Sequence, residues 1–524
     1  MGSKKSIRNL VSTACALTLV AGTLAACSSK TNNSSSTSAS TSGSSKQVSF
    51  NITVPYSNQT PPSASENPVL QQIEKESNAK FNISWTPMVS YTDKFNTMMA
   101  SNQLPDIVII PDLKSAQYID AVRGSQFWQL DSYMSQYKNL KNIDTIPLNN
   151  AKTDGKIYAL PREREMVRKC VIYRADWAKA AGLGTPDTVQ KVFDMAKAFA
   201  NGDYDGNGKK DTIGLGLGTV ADGSGTQIDC LNELVVGNGG VNLWGVRSGK
   251  VVSQYNTDEY VNTITQLHDL CAQGAVSKDF AITQTTAVVP NLIDKEKCGL
   301  WISYSSSIPN LTDPLYVSKS KANSSLKITD MYDFTFLNDS SGKARIAAET
   351  GLNGGIAFPK SSVKNASRLK DLLRVADYLN SQNGQLLLQN GIEGREYQKT
   401  GTNSSKSLNS TLYNTEMNGL NQMGMARNYM LNNVTTDLDS KRWSTEAGYK
   451  SSDLVSDVSV PLSSATYTSS YTTLAQNIDS AEFKYILGNI SLNDFKQAIS
   501  SWNSSGGQKM QDEFTASYKK SQSK

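Results

Sequence analysis

Apolar positions along this chain change their period several times, and each change marks an element. Val48, Phe50, Ile52 and Val54 alternate with polar residues, the period of a strand with one buried face. Val69, Leu70 and Ile73 then recur at helical spacing, and Phe81–Trp85 returns to a strand. Phe95, Met98 and Met99 mark a second helix, and Asp106–Ile110 a buried strand. Strand and helix alternate through short connections, which predicts a mainly parallel α/β sheet. Ile157–Leu160 predicts a further strand, stopped by Pro161. Thr188 is placed to cap a helix carrying Val189, Val192, Phe193, Ala196 and Phe199, with Pro186 just ahead of it. Leu369, Leu372, Leu373, Ala376 and Leu379 predict another amphipathic helix, and no solenoid repeat is visible.

The N-terminal end follows different rules. Lys4, Lys5 and Arg8 form a basic head, and Leu10–Gly22 is a largely apolar stretch without charge. Leu24-Ala25-Ala26-Cys27 closes the segment with small residues before a thiol. Charged start, apolar middle and small-residue end are the three parts of a secretory signal, and the apolar run is too short to span a bilayer. The Leu-Ala-Ala-Cys ending resembles the lipobox of bacterial lipoproteins, which implies removal of residues 1–26 and a palmitate-bearing lipid on Cys27. The segment 28–46 has no aromatic and no aliphatic larger than Ala. It cannot bury enough apolar surface to offset its ordering entropy, so 27–47 reads as a lipidated cysteine and a flexible tether. About twenty such residues span roughly 25 Å.

The body that follows is too large for one ordinary core, so two or more lobes are expected. The formal charge of +5 includes Lys4, Lys5 and Arg8, so the mature chain carries +2 and offers no electrostatic case for nucleic acid. Cys170, Cys230, Cys271 and Cys298 remain after Cys15 and Cys27 are set aside. An oxidising compartment permits disulfides among them, and buried free thiols fit equally well. No pair has zinc-site spacing, and His268 with Cys271 supplies too few ligands.

Ordered segments along the chain point to a known family: Leu104-Pro105-Asp106-Ile107-Val108, Gly155–Pro161, Tyr173-Arg174-Ala175-Asp176-Trp177, Gly182–Thr188, Gly354–Phe358, and Trp502 followed by Gly506-Gly507. From about residue 48 to its end the chain resembles the extracellular solute-binding proteins of ABC importers, family 1, in the subgroup of sugar-binding lipoproteins. The resemblance implies a two-lobed α/β fold like that of periplasmic binding proteins, with a hinge and a central ligand cleft. It implies an N-lobe of 48–166 plus about 350–400, and a C-lobe of about 167–349 plus 401–524. The crossings are expected near Pro161–Tyr173 and Glu349–Gly355. It further implies a monomer that delivers solute to ABC transporter permease subunits. Ser28 after Cys27 favours the outer face of a Gram-positive membrane.

One motif carries explicit chemistry. Asp203, Asp205, Asn207, Lys209 and Asp211 fall at positions one, three, five, seven and nine of a calcium loop, with Gly208 at the sharp turn and Lys209 offering its carbonyl. Position twelve is Gly214 rather than a bidentate Glu, so a further oxygen is required, with Thr212 a candidate. The resemblance makes this calcium structural, away from the ligand cleft.

For the solute itself, clefts that hold sugars stack aromatic rings on the sugar faces and hydrogen-bond the hydroxyls. Trp301, at a strand running into a Ser-rich turn beside Tyr304, is the first candidate platform, and Trp443 the second. Arg162 and Glu163 follow the first expected crossing and can meet a polar ligand, whereas Trp85 and Trp177 read as packing residues. An oligosaccharide is the favoured solute, with peptides and other polar solutes as alternatives. A lipid-anchored glycan sensor or adhesin without transport has the same sequence features. Catalysis is disfavoured: His268 is the only histidine, no Gly-x-Ser-x-Gly is present, and the one pair offered for a glycoside hydrolase is Glu163 with Asp176.

Overall fold

The computed structural model describes residues 47–57, 59–222 and 225–522. The signal segment 1–26, Cys27 and the tether through residue 46 lie outside them. Among the described residues no helix is long and apolar enough to cross a membrane.

The first sheet grows from strand β1 (Val48–Tyr56), whose early residues alternate buried and exposed and whose later ones are buried on both faces. That change is expected of a strand moving into the middle of a sheet. β2 (Ala79–Pro87) and β3 (Ile107–Ile110) pair with it in parallel on either side. The sheet is completed by Leu352–Ala357 and β4 (Ala159–Glu163), joined antiparallel. Helix Pro68–Ser77 starts on the Asn67 side chain, which accepts from the Leu70 N–H, and ends at Asn78 with φ 48°. Helix Val189–Asn201 starts on Thr188 as its sequence requires.

β4 is longer than its sequence promised. Pro161 sits inside it opposite Gly355. Proline is tolerated because β4 is the edge of this sheet, where a missing N–H breaks no interior ladder. The chain then runs from β4 through 164–168 into β5 (Lys169–Arg174), the middle strand of a second sheet between Leu300–Tyr304 and Tyr332–Thr335. These two sheets are the centres of two lobes.

Three segments pass between the lobes and hold one another. The Glu349 N–H donates to the Met166 carbonyl at 2.9 Å, and the Arg164 N–H to the Gly351 carbonyl at 3.0 Å. The third segment lies near 425–436: the Glu163 N–H donates to the Met425 carbonyl at 2.6 Å, and the Arg427 N–H to the Glu163 carboxylate at 3.2 Å. This corrects the border expected at 400. Met417, Leu420, Met423 and Met425 are buried in the same core as β1 and β3, so the N-lobe extends to about residue 426. The short polar strands at 397–407 hid this return, because they lack the periodic pattern that marks a core element.

Gly354 shows how tightly the second crossing is set. Its φ is +76°, and a Cβ there would stand 2.1 Å from the Ile110 carbonyl oxygen at the end of β3. The C-lobe is finished by helices Ala465–Ile486, Leu492–Trp502 and Gln508–Gln522, which bury Ile478, Tyr485, Phe495, Trp502 and Phe514 against the second core.

Candidate functional site

Three cavities are described by their lining residues. One, of about 310 Å³, is lined from the N-lobe by Asp112, Lys114 and Thr350 and from the C-lobe by Asp457, Ser463 and Tyr467. Its N-lobe wall is the loop that leaves β3, at the carboxyl end of a parallel strand, where open α/β sheets place their ligands. Lys114 Nζ donates to the Lys152 carbonyl at 3.1 Å. Burial pulls its ammonium down to about 8 against the charges of Asp112, Asp154 and Asp457. Burial likewise pushes the Asp457 carboxyl up to about 7, against its bonds to Ser459 and the charge of Lys114. Asp154 closes the rim, held by Arg123 at 2.9 Å and accepting from the Ser463 hydroxyl of the other lobe at 3.4 Å.

A second cavity, of about 290 Å³, lies in the C-lobe beyond the first crossing, with Lys169, Asp229, Gln254, Tyr304, Asp479 and Glu482 on its walls. Lys169 opens β5 and sits 3.1 Å from Asp229 and 3.6 Å from Glu233. Burial opposes its charge, but the two carboxylates outweigh it and hold the ammonium above its ordinary value. A smaller opening of about 120 Å³ in the N-lobe is lined by Ser57, Asn418 and Gln422.

The residues expected to bind solute are distributed differently from expectation. Trp301 is 2% exposed, packed edge-on against Tyr332 at 6.3 Å within the C-lobe core. It is a core residue and not a stacking platform: Leu300, Trp301 and Ile302 are all buried, because this strand is covered on both faces. Tyr304, at the strand's end, lines the C-lobe cavity. It is half-buried, with the Arg168 guanidinium over its ring at 4.2 Å. Trp443 belongs to helix Asp437–Gly448, where Arg442 covers its ring at 4.1 Å and its Nε1 donates to the Asn433 carbonyl.

Arg162 is buried and serves as a brace. Its guanidinium donates to the Asn353 carbonyl at 2.7 Å and to Gln422 Oε1 at 2.5 Å, joining β4 to the second crossing and to the 420–423 turn. Burial pulls it down to about 10. Glu163 accepts from the Asp144 and Arg427 N–H groups, and burial raises its carboxyl. Lys114, Asp457, Lys169, Asp229, Gln254 and Glu482 were missed. They are scattered through the sequence, and the helix periodicity that exposes a core stripe says nothing of which lone polar residue faces a cavity.

The 203–211 loop is folded on itself. Asn207 Nδ2 donates to Asp205 at 2.7 Å and to Asp211 at 3.0 Å, and the Gly208 N–H donates to Asp203 at 3.0 Å. Among the described residues no group of three or more His, Cys, Asp or Glu side chains is gathered for a metal. The donor chemistry nevertheless fits a hard cation: the Asn207 amide stands where the Asp205 and Asp211 oxygens converge, and turning it end for end supplies another oxygen. The Thr212 hydroxyl donates to the buried Phe199 carbonyl, which ties the end of the loop to the helix before it. Gly214 fills position twelve because a Cβ there would stand 1.9 Å from the Ala196 carbonyl oxygen.

Cys170, Cys230, Cys271 and Cys298 are free and buried, and burial pushes the Cys298 thiol up to about 12. His268 stacks on Tyr485 at 4.7 Å and bonds its carbonyl through Nδ1, a packing role. Asp176 accepts from the Arg174 guanidinium, whereas Glu163 accepts from the Asp144 and Arg427 N–H groups.

Two α/β lobes, three tied crossings and a cavity lined from both lobes are the architecture of a protein that captures a ligand between its lobes. The sequence profile of the bacterial extracellular solute-binding proteins matches residues 56–328. The chain is 33% identical to lipoprotein LipO of Bacillus subtilis (strain 168), covering 97% of this chain and 98% of that one. It is 29% identical to the polygalacturonan/rhamnogalacturonan-binding protein YtcQ of the same organism, covering 86% and 88%. Among solved structures, the EF-hand mutant of FusA, an ABC-transporter substrate binding protein of S. pneumoniae, in complex with fructo-nystose, matches with a TM-score of 0.59 at 18% identity. That match covers 90% of this chain and 100% of the other. The chain belongs to the bacterial extracellular solute-binding protein family, and it is a binding protein, not an enzyme.

Proposed function

We propose that this protein captures an oligosaccharide between its lobes and delivers it to the permease of an ABC importer. The observation that carries the reading is the cavity of about 310 Å³ lined from both lobes beside the second crossing. That volume falls in the range of small-molecule sites, and its mixture of hydroxyl, charged and aromatic groups suits a hydroxyl-rich solute. The polysaccharide binding named for YtcQ and the ABC transport named for FusA support the same class. Residues from both walls close on the solute, so occupancy favours the closed arrangement of the lobes.

Cys27 carries the lipid that holds the protein at the outer membrane face, a reading supported by the lipobox pattern and by the lipoprotein LipO. The 203–211 loop binds calcium through Asp203, Asp205, Asn207, the Lys209 carbonyl and Asp211. Support comes from its oxygen-donor spacing and from the EF-hand named in FusA. The ion neutralises three carboxylates of one short loop and stiffens its turn.

The test is calorimetry against a panel of plant and bacterial oligosaccharides, repeated with Asp112→Ala. At least one glycan should bind without being hydrolysed, and Asp112→Ala should weaken it at least tenfold. Binding by no glycan, or hydrolysis of one, overturns the proposal.

A further inference from the structure

The C-lobe cavity of about 290 Å³ sets carboxylates and side-chain amides among apolar residues such as Leu231 and Leu243. Its cation, Lys169, is already paired with Asp229 and Glu233. Across from it, helix Ala465–Ile486 presents Asp479 and Glu482, three residues apart and therefore on one face. They are 6% and 3% exposed. Tyr260 donates its hydroxyl to Glu482 at 2.6 Å. Gln254, 4% exposed, lines the same cavity with its side-chain carbonyl Oε1 buried and without a hydrogen-bond partner. An acceptor buried without a donor is a cost the fold does not ordinarily carry, and a ligand donor removes it.

We infer that this cavity is a subsite for a sugar unit that donates hydrogen bonds and carries no carboxylate, with Gln254 Oε1 and the Asp479–Glu482 face as its acceptors. The inference rests on the oligosaccharide reading above and adds a charge preference to one end of the solute. A hexose ring offers several hydroxyl donors, which matches the acceptors of Gln254, Asp479 and Glu482, while Tyr304 lines the same cavity. A uronate unit in the same place sets its carboxylate against Asp229 and Asp479, with Lys169 already engaged. Burial, reinforced by the charge of Asp479, pushes the Glu482 carboxyl up to about 8, so it holds a proton at neutral pH and donates as well as accepts.

The experiment uses the mature protein and oligosaccharides of equal length, with neutral hexoses throughout or with a hexuronate at one end or the other. Calorimetry should show that a hexuronate at one of the two ends weakens binding at least tenfold, and that Gln254→Leu weakens the neutral compound by a similar factor. Asp479→Asn, which keeps an acceptor, should recover binding of the end-uronate compound by at least threefold. Binding that ignores the terminal carboxylate at both ends, or that is lost in Asp112→Ala but unchanged in Gln254→Leu, overturns the subsite alone. Binding by none of the compounds overturns the oligosaccharide reading and the subsite with it.

Discussion

Glu482→Gln isolates the energetic consequence of putting a carboxyl beside a cavity. In the native chain burial and Asp479 push the Glu482 carboxyl from 4.5 up to about 8. Between those two values the native chain holds a proton that the unfolded chain releases. Stability therefore falls as pH rises through the window and is fully present only below the unfolded value. At about 1.4 kcal/mol per unit, the penalty accumulated between pH 5 and pH 8 is on the order of 3 kcal/mol. A glutamine keeps the shape and still accepts from the Tyr260 hydroxyl, but it has no proton to lose. Urea melts of the two proteins at pH 5, 6.5 and 8 read the difference directly. The variant should be close to the parent at pH 5 and more stable at pH 8, the gap widening steadily. The Asp457 carboxyl, also raised, is present in both proteins and cancels in the comparison. A gap that stays constant with pH refutes the assignment of a neutral, buried Glu482.

Other outcomes follow from the same geometry. Trp301→Ala should cost about 3–5 kcal/mol of stability, as large-to-small changes of core aromatics do, while changing solute affinity less than threefold. Tyr304→Ala should do the reverse, weakening the solute at least tenfold with little effect on the melt. Calcium at a hundredfold excess over its dissociation constant should add about 2.7 kcal/mol, and Asp205→Ala should remove that increment. A melt indifferent to both chelator and substitution rules the loop out. Cys27→Ser should release the protein into the medium or leave residues 1–26 attached, read by fractionation and mass spectrometry.

The sequence made the N-lobe legible because its strands and helices obey simple periods. Val48 to Val54 alternate as they should, and Thr188 caps the helix its position implied. Pro161 misled for a reason that lies outside any window: only the sheet order tells that β4 is an edge. The third crossing was missed for a similar reason. Met417, Leu420, Met423 and Met425 enter the N-lobe core from a turn rather than from a long amphipathic helix, so no stripe announces them.

The site was less legible than the fold, and Trp301 shows why. A tryptophan followed by a polar turn looks like a platform when only its neighbours in the chain are known. Burial in a strand is set by what covers each face, and both faces of Leu300–Ile302 are covered. Exposure returns only where the strand leaves the sheet, at Tyr304. An aromatic that lines a cavity is therefore read from where a strand ends, not from which aromatic it contains. The same reasoning explains Arg162: it follows a crossing as expected, but its guanidinium is turned to the Asn353 carbonyl and Gln422 and holds the crossing in place. The groups left facing the cavities, Lys114 after β3 and Lys169 at the start of β5, stand where strands meet the border between the lobes. Lys114 helps line a cavity shared by both lobes and Lys169 one within the C-lobe, and each is delivered there by the end of a strand rather than by a periodic stripe.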